Sequence, residues 1–128
     1  MSKTGSKVYL ALGDKHDRPL SFQKEAFDCS EKIFAVAELQ KFPQGKHEFS
    51  VRWIDPAETT REHTRYPFHV NNESTRLWSW LSLKRGAGAG MLQWLDPSAG
   101  LEEFIGPWTV EVSVDGKRLA RMTMEVNC

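Results

Sequence analysis

The chain of 128 residues has only two cysteines, no excess of charge of either sign and no long apolar run. Cys29 and Cys128 do not make a disulfide framework, so we expect free thiols. Seventeen basic and seventeen acidic residues cancel, which disfavours nucleic acid as a partner. No segment reaches the length of a membrane span, so we expect no membrane partner. As written, the chain predicts a cytoplasmic protein, or a periplasmic or extracellular one if a signal peptide was removed.

The motifs of several enzyme classes are also missing. No Gly-x-Ser-x-Gly elbow surrounds a serine. The glycine run at 86–90 lacks the Lys-Ser/Thr of a phosphate loop and predicts a mobile loop instead. His63 and His69 share a strand face but would lie roughly 20 Å apart, too far to bind one metal ion. We therefore expect a non-enzymatic protein that needs no cofactor and no metal.

The last twenty residues predict a β-hairpin. Asp115-Gly116 supplies its turn. Apolar residues alternate with polar ones on both sides of that turn: Trp108, Val110, Val112 and Val114, then Ala120, Met122, Met124 and Val126. All have even numbers, which a plain two-residue turn would place on opposite faces. We therefore predict a three-residue loop with Gly116 in a left-handed bulge, or a bulge further along, with Val110 opposite Ala120 and Trp108 opposite Met122.

Most of the remaining chain also predicts short strands. Residues 32–39 are apolar at nearly every position, as in a central strand covered on both faces, although a buried helical turn would give the same pattern. Pro67 places its own strand at an edge or a bulge. Asp96 and Pro97 begin a short helix near 97–105. Residues 1–6 are expected to be disordered. The predicted strands are 7–12, 32–39, 47–53, 61–70 and 75–83, with 20–27 ambiguous and interpreted as a possible short edge strand.

Seven or eight strands with almost no helix predict one all-β domain over 1–128. The chain resembles the immunoglobulin-like and fibronectin-type-III-like domains of bacterial proteins. The resemblance lies in Gly106–Val112, which leads through the Asp115-Gly116 turn to Met124–Val126, and in the strand Glu48–Trp53. It implies an immunoglobulin-like antiparallel β-sandwich. The chain lacks the cysteine pair and the corner tyrosine of antibody domains, and the family specifies no function.

A short pattern, Trp-x-Asp-Pro, occurs at 53–56 and again at 94–97. One interpretation makes both copies a shared ligand platform. The other treats them as punctuation, in which aspartate accepts backbone N–H groups, proline sets the next φ and tryptophan packs in the core. Four residues are too few to establish a repeat, so we favour punctuation.

Trp78 and Trp80 are the main candidate site. They share a strand face opposite Leu77, Leu81 and Leu83. If the leucines fill the core, the two indoles form a surface patch; if residues 86–91 or the short helix cover that face, they form a second small core.

We expect a protein partner, or self-association, through Trp78, Trp80 and Trp94 or through an exposed edge strand. The alternative is a carbohydrate-binding module that uses the same tryptophans, and a small hydrolase or metal enzyme is the third hypothesis. The exposure of Trp78 and Trp80 separates the first two, because two coplanar exposed indoles with polar neighbours would favour sugar.

Overall fold

The computed structural model describes residues 5–28, 31–82 and 104–127, and within these ranges the chain is all-β. No helix in the described ranges is long and apolar enough to cross a membrane. The strands are β1 (Gly5–Leu12), β2 (Ala26–Asp28), β3 (Lys32–Gln40), β4 (Gly45–Ile54), β5 (Thr60–Val70), β6 (Ser74–Ser82), β7 (Gly106–Val114) and β8 (Lys117–Asn127).

The strands form two sheets. One has the order β1-β3-β6 and the other the order β2-β8-β7-β4-β5. Neighbours are antiparallel except β2, which runs parallel to β8, so the prediction of a wholly antiparallel arrangement was wrong at this edge. The ambiguous segment 20–27 ends in β2, a short edge strand as the sequence suggested.

Both sheets contribute their inward faces to one core. Trp53, Trp108 and Phe49 have no exposed surface, because alternate residues of β4 and β7 point inward while the residues between them face solvent. Side chains of the three-stranded sheet complete this core, among them Ile33, Ala35, Ala37 and Leu39 of β3. The observed alternation confirms the predicted inward faces of β4 and β7.

β3 is buried on both faces, as its continuous apolar run predicted. Its even-numbered residues Phe34 and Val36 form a second, smaller cluster with Tyr9 and Ala11 of β1. This cluster lies on the outer side of the three-stranded sheet. The sheet therefore has an apolar side away from the main core, and β6 forms one border of that side.

The C-terminal hairpin confirms the parity argument but not the predicted loop. Val114 pairs with Lys117 across a two-residue turn in which Asp115 and Gly116 both have positive φ, 53° and 79°, as in a type I′ turn. The register then shifts between Val112 and Ser113, so the bulge lies further along, where Leu119 is the extra residue.

The shift returns the apolar sets to one face, but the register differs from the predicted one by two residues. Val110 pairs with Met122, and Trp108 pairs with Met124. The three-residue loop was wrong because a type I′ turn matches the strand twist and the extra residue fits equally well in the strand.

Several predictions fall at or beyond the limits of the described residues. Gly5 and Ser6, expected to be disordered, begin β1. Phe104 and Ile105, expected to end a helix, directly precede β7. The remaining predictions lie outside the described residues: Cys29, Cys128, Leu83, the glycine run at 86–90, the second Trp-x-Asp-Pro copy with Trp94, and the rest of the proposed helix.

Candidate interaction surface

The alternation of β6 sets the two candidate tryptophans apart from the core. Leu77 and Leu81 are buried in the main core, as predicted. Trp78 and Trp80 point to the opposite, outer side of the three-stranded sheet. The division of β6 into a leucine face and a tryptophan face, expected from the sequence, is therefore present.

The register of the sheet places aromatic side chains beside these tryptophans. Trp78 is opposite Val36, and Trp80 is opposite Phe34. On the other side of β3, Val36 is opposite Tyr9. The outer face is thus built of rows that cross the three strands, and its apolar part ends at the tryptophans of β6.

The two tryptophans differ in exposure. Trp78 is half-buried and packs against the cluster that contains Tyr9 and Phe34. Trp80 is 49% exposed, and its ring is tilted by 44° against Phe34, with 6.3 Å between the ring centroids. Trp78 therefore belongs to a second small core, whereas Trp80 presents an indole to solvent. The residues predicted to cover this face, 86–91, and most of the predicted short helix lie outside the described residues.

A cation lies over each indole. Lys32 Nζ is 5.1 Å from the Trp80 ring centroid and is held by Asp17 Oδ2 at 2.7 Å. The Arg76 guanidinium is 5.7 Å from the Trp78 centroid. Such contacts are favourable because the ring face is electronegative. Lys32 therefore occupies part of the space over Trp80.

Arg76 also ties the 13–20 loop to the outer face. Its Nη2 donates to Tyr9 Oη and to the Pro19 carbonyl, each at 3.1 Å. Tyr9 in turn donates to Glu38 Oε2 at 2.7 Å. Burial raises the pKa of Tyr9 above its ordinary value, so the hydroxyl keeps its proton and can donate at neutral pH. These bonds hold the loop over Tyr9. Trp80 lies on the same outer face and remains exposed to solvent.

A crevice separates β6 from β5, the edge strand of the other sheet. It has a volume of about 250 Å³. The Tyr66 hydroxyl donates to the Trp78 carbonyl at 2.7 Å and so connects the two strands at the crevice. Burial raises the pKa of Tyr66, which keeps this donor protonated. The lining residues are Glu62, Thr64, Tyr66, Trp78, Ser79 and Trp80.

Both strands that border the crevice are edges of their sheets. Within residues 5–28, 31–82 and 104–127, β6 pairs only with β3 and β5 only with β4. The strand order confirms the prediction from Pro67 that its strand, β5, lies at an edge. A missing N–H is tolerated there. The Trp78 carbonyl points away from β3 toward Tyr66, and the N–H and C=O of a strand residue point to the same side. β6 therefore directs backbone groups toward the crevice.

The first Trp-x-Asp-Pro copy forms a turn, which is the interpretation that we favoured from the sequence. Trp53 is fully buried and Asp55 is 3% exposed. Asp55 Oδ1 accepts the amides of Ala57 and Thr59 at 2.9 Å, and Oδ2 accepts Arg61 Nε at 2.7 Å. Burial opposes ionisation of Asp55, but these bonds together lower its pKa. The motif closes the β4–β5 connection and offers no ligand platform.

Sequence reasoning missed several members of the surface. Tyr9, Phe34 and Tyr66 were placed in predicted strands without being assigned to this surface. The one available signal was the unbroken apolar run of β3, which requires cover on two sides. In the described part of the chain, no three His, Cys, Asp or Glu side chains come together in a metal-binding arrangement.

The fold is similar to parts of larger proteins. It matches the Pseudomonas fluorescens alkylpurine DNA glycosylase AlkC, solved bound to DNA containing an abasic site analogue, with a TM-score of 0.54 and 11% identity over 96% of this chain and 30% of that one. It also matches the Listeria innocua β-glucosidase in complexes with glucose and with gluconolactone, with TM-scores of 0.52 and 0.53 and identities of 11% and 12%, over 100% of this chain and 17% of the enzyme.

At such low identity these similarities show the fold alone. The chain spans under a third of the length of the DNA glycosylase chain and less of the β-glucosidase. No protein-family model matches the sequence, and no curated protein sequence is similar to it.

Proposed function

We propose that this domain is a non-enzymatic interaction module that binds an extended segment of a partner protein along β6, with Trp80 as the anchor. The observation that carries the proposal is a half-exposed indole on β6, a sheet edge along which no second described strand is paired. An added strand gains main-chain hydrogen bonds at such an edge, and a neighbouring pocket selects its side chains.

The topology supports an immunoglobulin-like fold for this module. The sheet orders β1-β3-β6 and β8-β7-β4-β5 correspond to strands A-B-E and G-F-C-C′ of that fold, in which strand C carries a buried tryptophan. Trp53 occupies such a position on β4.

Trp108 further supports this assignment. It lies near the start of β7, two residues before Val110, which pairs with Trp53. Its Nε1 donates to the Phe104 carbonyl at 2.8 Å. In antibody domains a corner tyrosine makes the corresponding bond back to upstream backbone. We infer that Trp108 takes the place of the corner tyrosine. This accounts for the lack of a tyrosine after Tyr66 in the sequence.

The geometry favours a protein over a carbohydrate. A sugar platform requires accessible aromatic faces, but Trp78 is half-buried and Lys32 lies over the Trp80 ring. The crevice beside them is lined by Tyr66, Thr64 and Ser79. It suits an apolar side chain of a peptide whose backbone follows the strand.

The test is a comparison of Trp80→Ala with Phe22→Ala. Phe22 is 80% exposed, and the backbone on either side of it bonds to β1 through Leu20 and Lys24, so it is a matched control for loss of an exposed aromatic. Partners captured from the native host are purified, and their affinities for wild type and both variants are measured. We expect Trp80→Ala to weaken binding at least tenfold and Phe22→Ala to leave it unchanged.

Amide hydrogen exchange then locates the contact. Pairing along β6 should slow exchange of the Trp78 and Trp80 amides when the partner is bound, because these groups face the crevice. Equal losses in the two variants, or protection confined to another strand, would reject the proposal. Binding of oligosaccharides that depends on Trp80 would favour the carbohydrate alternative instead, and a partner that proves to be a second copy would establish self-association.

A further inference from the structure

A second concave surface lies on the opposite side of the molecule, on the outer face of the five-stranded sheet. Its volume is about 510 Å³. We call it the serine basin, because Ser50 and Ser113 pair directly across β4 and β7 and form its floor. The longer side chains around them are Arg52, Arg65 and Arg118, together with His63.

The strand register explains this shape. Arg65 is opposite Ser50 on β5, and Arg118 is opposite Ser113 on β8. Two short side chains thus lie between two long cationic ones in a row that crosses four strands. With neighbouring strands about 4.8 Å apart, the row is roughly 14 Å wide at the backbone, so the arginine side chains can reach one group held at its centre.

The cations of the basin are not equivalent. Glu111 holds Arg52 at 3.7 Å and Arg118 at 3.2 Å. Arg65 has no hydrogen-bond or ion-pair partner among the described residues, and the Ser50 and Ser113 hydroxyls likewise have none there. Among the described residues, the basin therefore combines a guanidinium and two hydroxyl donors that have no hydrogen-bond partner with two further arginines that contact Glu111.

We propose that the serine basin binds one phosphate group of a small phosphorylated ligand, with Arg65 as the principal cation and Ser50 and Ser113 as donors at the floor. A guanidinium presents paired N–H groups that match two phosphate oxygens. Serine hydroxyls can donate to the remaining oxygen.

The acidic residues around the basin decide the size of the ligand. Glu48 and Glu111 also line the basin, on the same strands as Ser50 and Ser113 and two residues from them, so its cationic side chains do not form a continuous row. A nucleic-acid backbone would require a row of cations along the strand, whereas these carboxylates would repel the neighbouring phosphates. The basin thus fits a single terminal phosphate.

His63 reports on occupancy. Burial lowers its pKa, and the positive charges of Arg65 and Arg52 lower it further, with Glu48 opposing them. A bound phosphate would offset the two guanidinium charges and raise the pKa of His63. This change requires an anion at the basin and would not follow from a merely structural role of Arg65.

The experiment is an NMR titration of the isotope-labelled full chain with inorganic phosphate and, separately, with O-phosphoserine. Both probes should shift the Ser50 and Ser113 amides and raise the pKa of His63. Arg65→Gln should lower the affinity for both probes at least threefold. Ser50→Ala should lower these affinities to a smaller extent. Arg18→Gln, in the exposed loop before Pro19, is the matched control and should bind as wild type.

The probes also identify the source of the phosphate. Tighter binding of O-phosphoserine than of inorganic phosphate would support a phosphorylated metabolite or side chain, and equal affinities would support free phosphate. Shifts scattered over exposed basic residues, or an equal response of Arg65→Gln and Arg18→Gln, would mean an adventitious ion only and overturn the proposal. A single-stranded oligonucleotide that binds this face more tightly than either probe would overturn the assignment to a small ligand.

Discussion

His47 and Asp115 join the start of β4 to the turn between β7 and β8, with 2.5 Å between the imidazole Nδ1 and the carboxylate Oδ2. The other ring nitrogen, Nε2, is 2.7 Å from the Pro43 carbonyl oxygen. A carbonyl and a carboxylate both accept hydrogen bonds, so making both bonds requires both ring nitrogens to carry protons. The geometry therefore favours the imidazolium form of His47.

This pair predicts a specific pH dependence of stability. Donation of this hydrogen bond to Asp115 raises the pKa of His47, and accepting it lowers the pKa of Asp115. The contribution of His47 is complete below its unfolded pKa of about 6.5 and is lost as the pH rises through its raised folded value. That of Asp115 is complete above about 4 and is lost as the pH falls through its lowered folded value. We expect the pair to stabilise the fold most between about pH 4 and 6.5.

Asp115→Asn tests this dependence without disturbing the turn, because asparagine also tolerates the positive φ of 53° found here. Urea unfolding followed by tryptophan fluorescence should show that the decline in stability between pH 6 and 8 becomes shallower in the variant. Asp17→Asn is the control, since Asp17 has a φ of 61° but pairs with Lys32. A decline in Asp115→Asn as steep as that of wild type would refute the coupling.

Gly116→Ala should destabilise the hairpin by about 1–2 kcal/mol, because an L-residue is strained in the left-handed region. Gly116 has a φ of 79° and no heavy atom within 4 Å of an added Cβ, so the effect isolates backbone strain. Gly5→Ala is the control, since its Cβ would meet only Gln40 Cβ at 3.9 Å. Thermal unfolding should show a loss for the first variant and a change within about 0.5 kcal/mol for the second.

Asp55→Ala should cost about 3 kcal/mol of unfolding free energy, because it leaves the buried Ala57 and Thr59 amides without their acceptor and removes the Asp55–Arg61 ion pair. Asp55→Asn should cost less, since an amide oxygen can still accept the Ala57 and Thr59 amides. Asp14→Ala is an exposed comparison: Asp14 Oδ1 also accepts two backbone amides, those of His16 and Arg18, but water can replace it there. Equal losses for Asp55→Ala and Asp14→Ala in denaturant unfolding would contradict the buried role of Asp55.

The two tyrosines should titrate late. Tyr9 and Tyr66 are the only tyrosines in the chain, and burial raises the pKa of both. The ultraviolet absorbance change of phenolate formation should therefore lie above pH 10 in the folded protein and near pH 10 in urea. Tyr66→Phe should halve the amplitude and cost about 1 kcal/mol by removing the bond to Trp78. A folded titration that coincides with the unfolded one would disprove the burial of both hydroxyls.

Local alternation was sufficient to predict much of the candidate surface. The pattern of β6 assigned Leu77 and Leu81 to one face and Trp78 and Trp80 to the other, and Pro67 indicated an edge strand. These features depend on the two-residue period of a strand, which can be recognised from residues adjacent in the sequence. The position of the hairpin bulge was not predictable in this way, because parity requires one extra residue but does not say where it lies.

The sequence by itself determined an all-β chain, the inward faces of its strands and the separation of the tryptophans from the leucines, because each follows from short-range periodicity and turn chemistry. Only the tertiary structure decided that Trp78 is half-buried while Trp80 is exposed, that Tyr66 reaches the Trp78 carbonyl, and that Ser50 and Ser113 form the floor of a basin. These relationships join residues distant in sequence. They depend on strand order and register, which the packing of the whole chain selects.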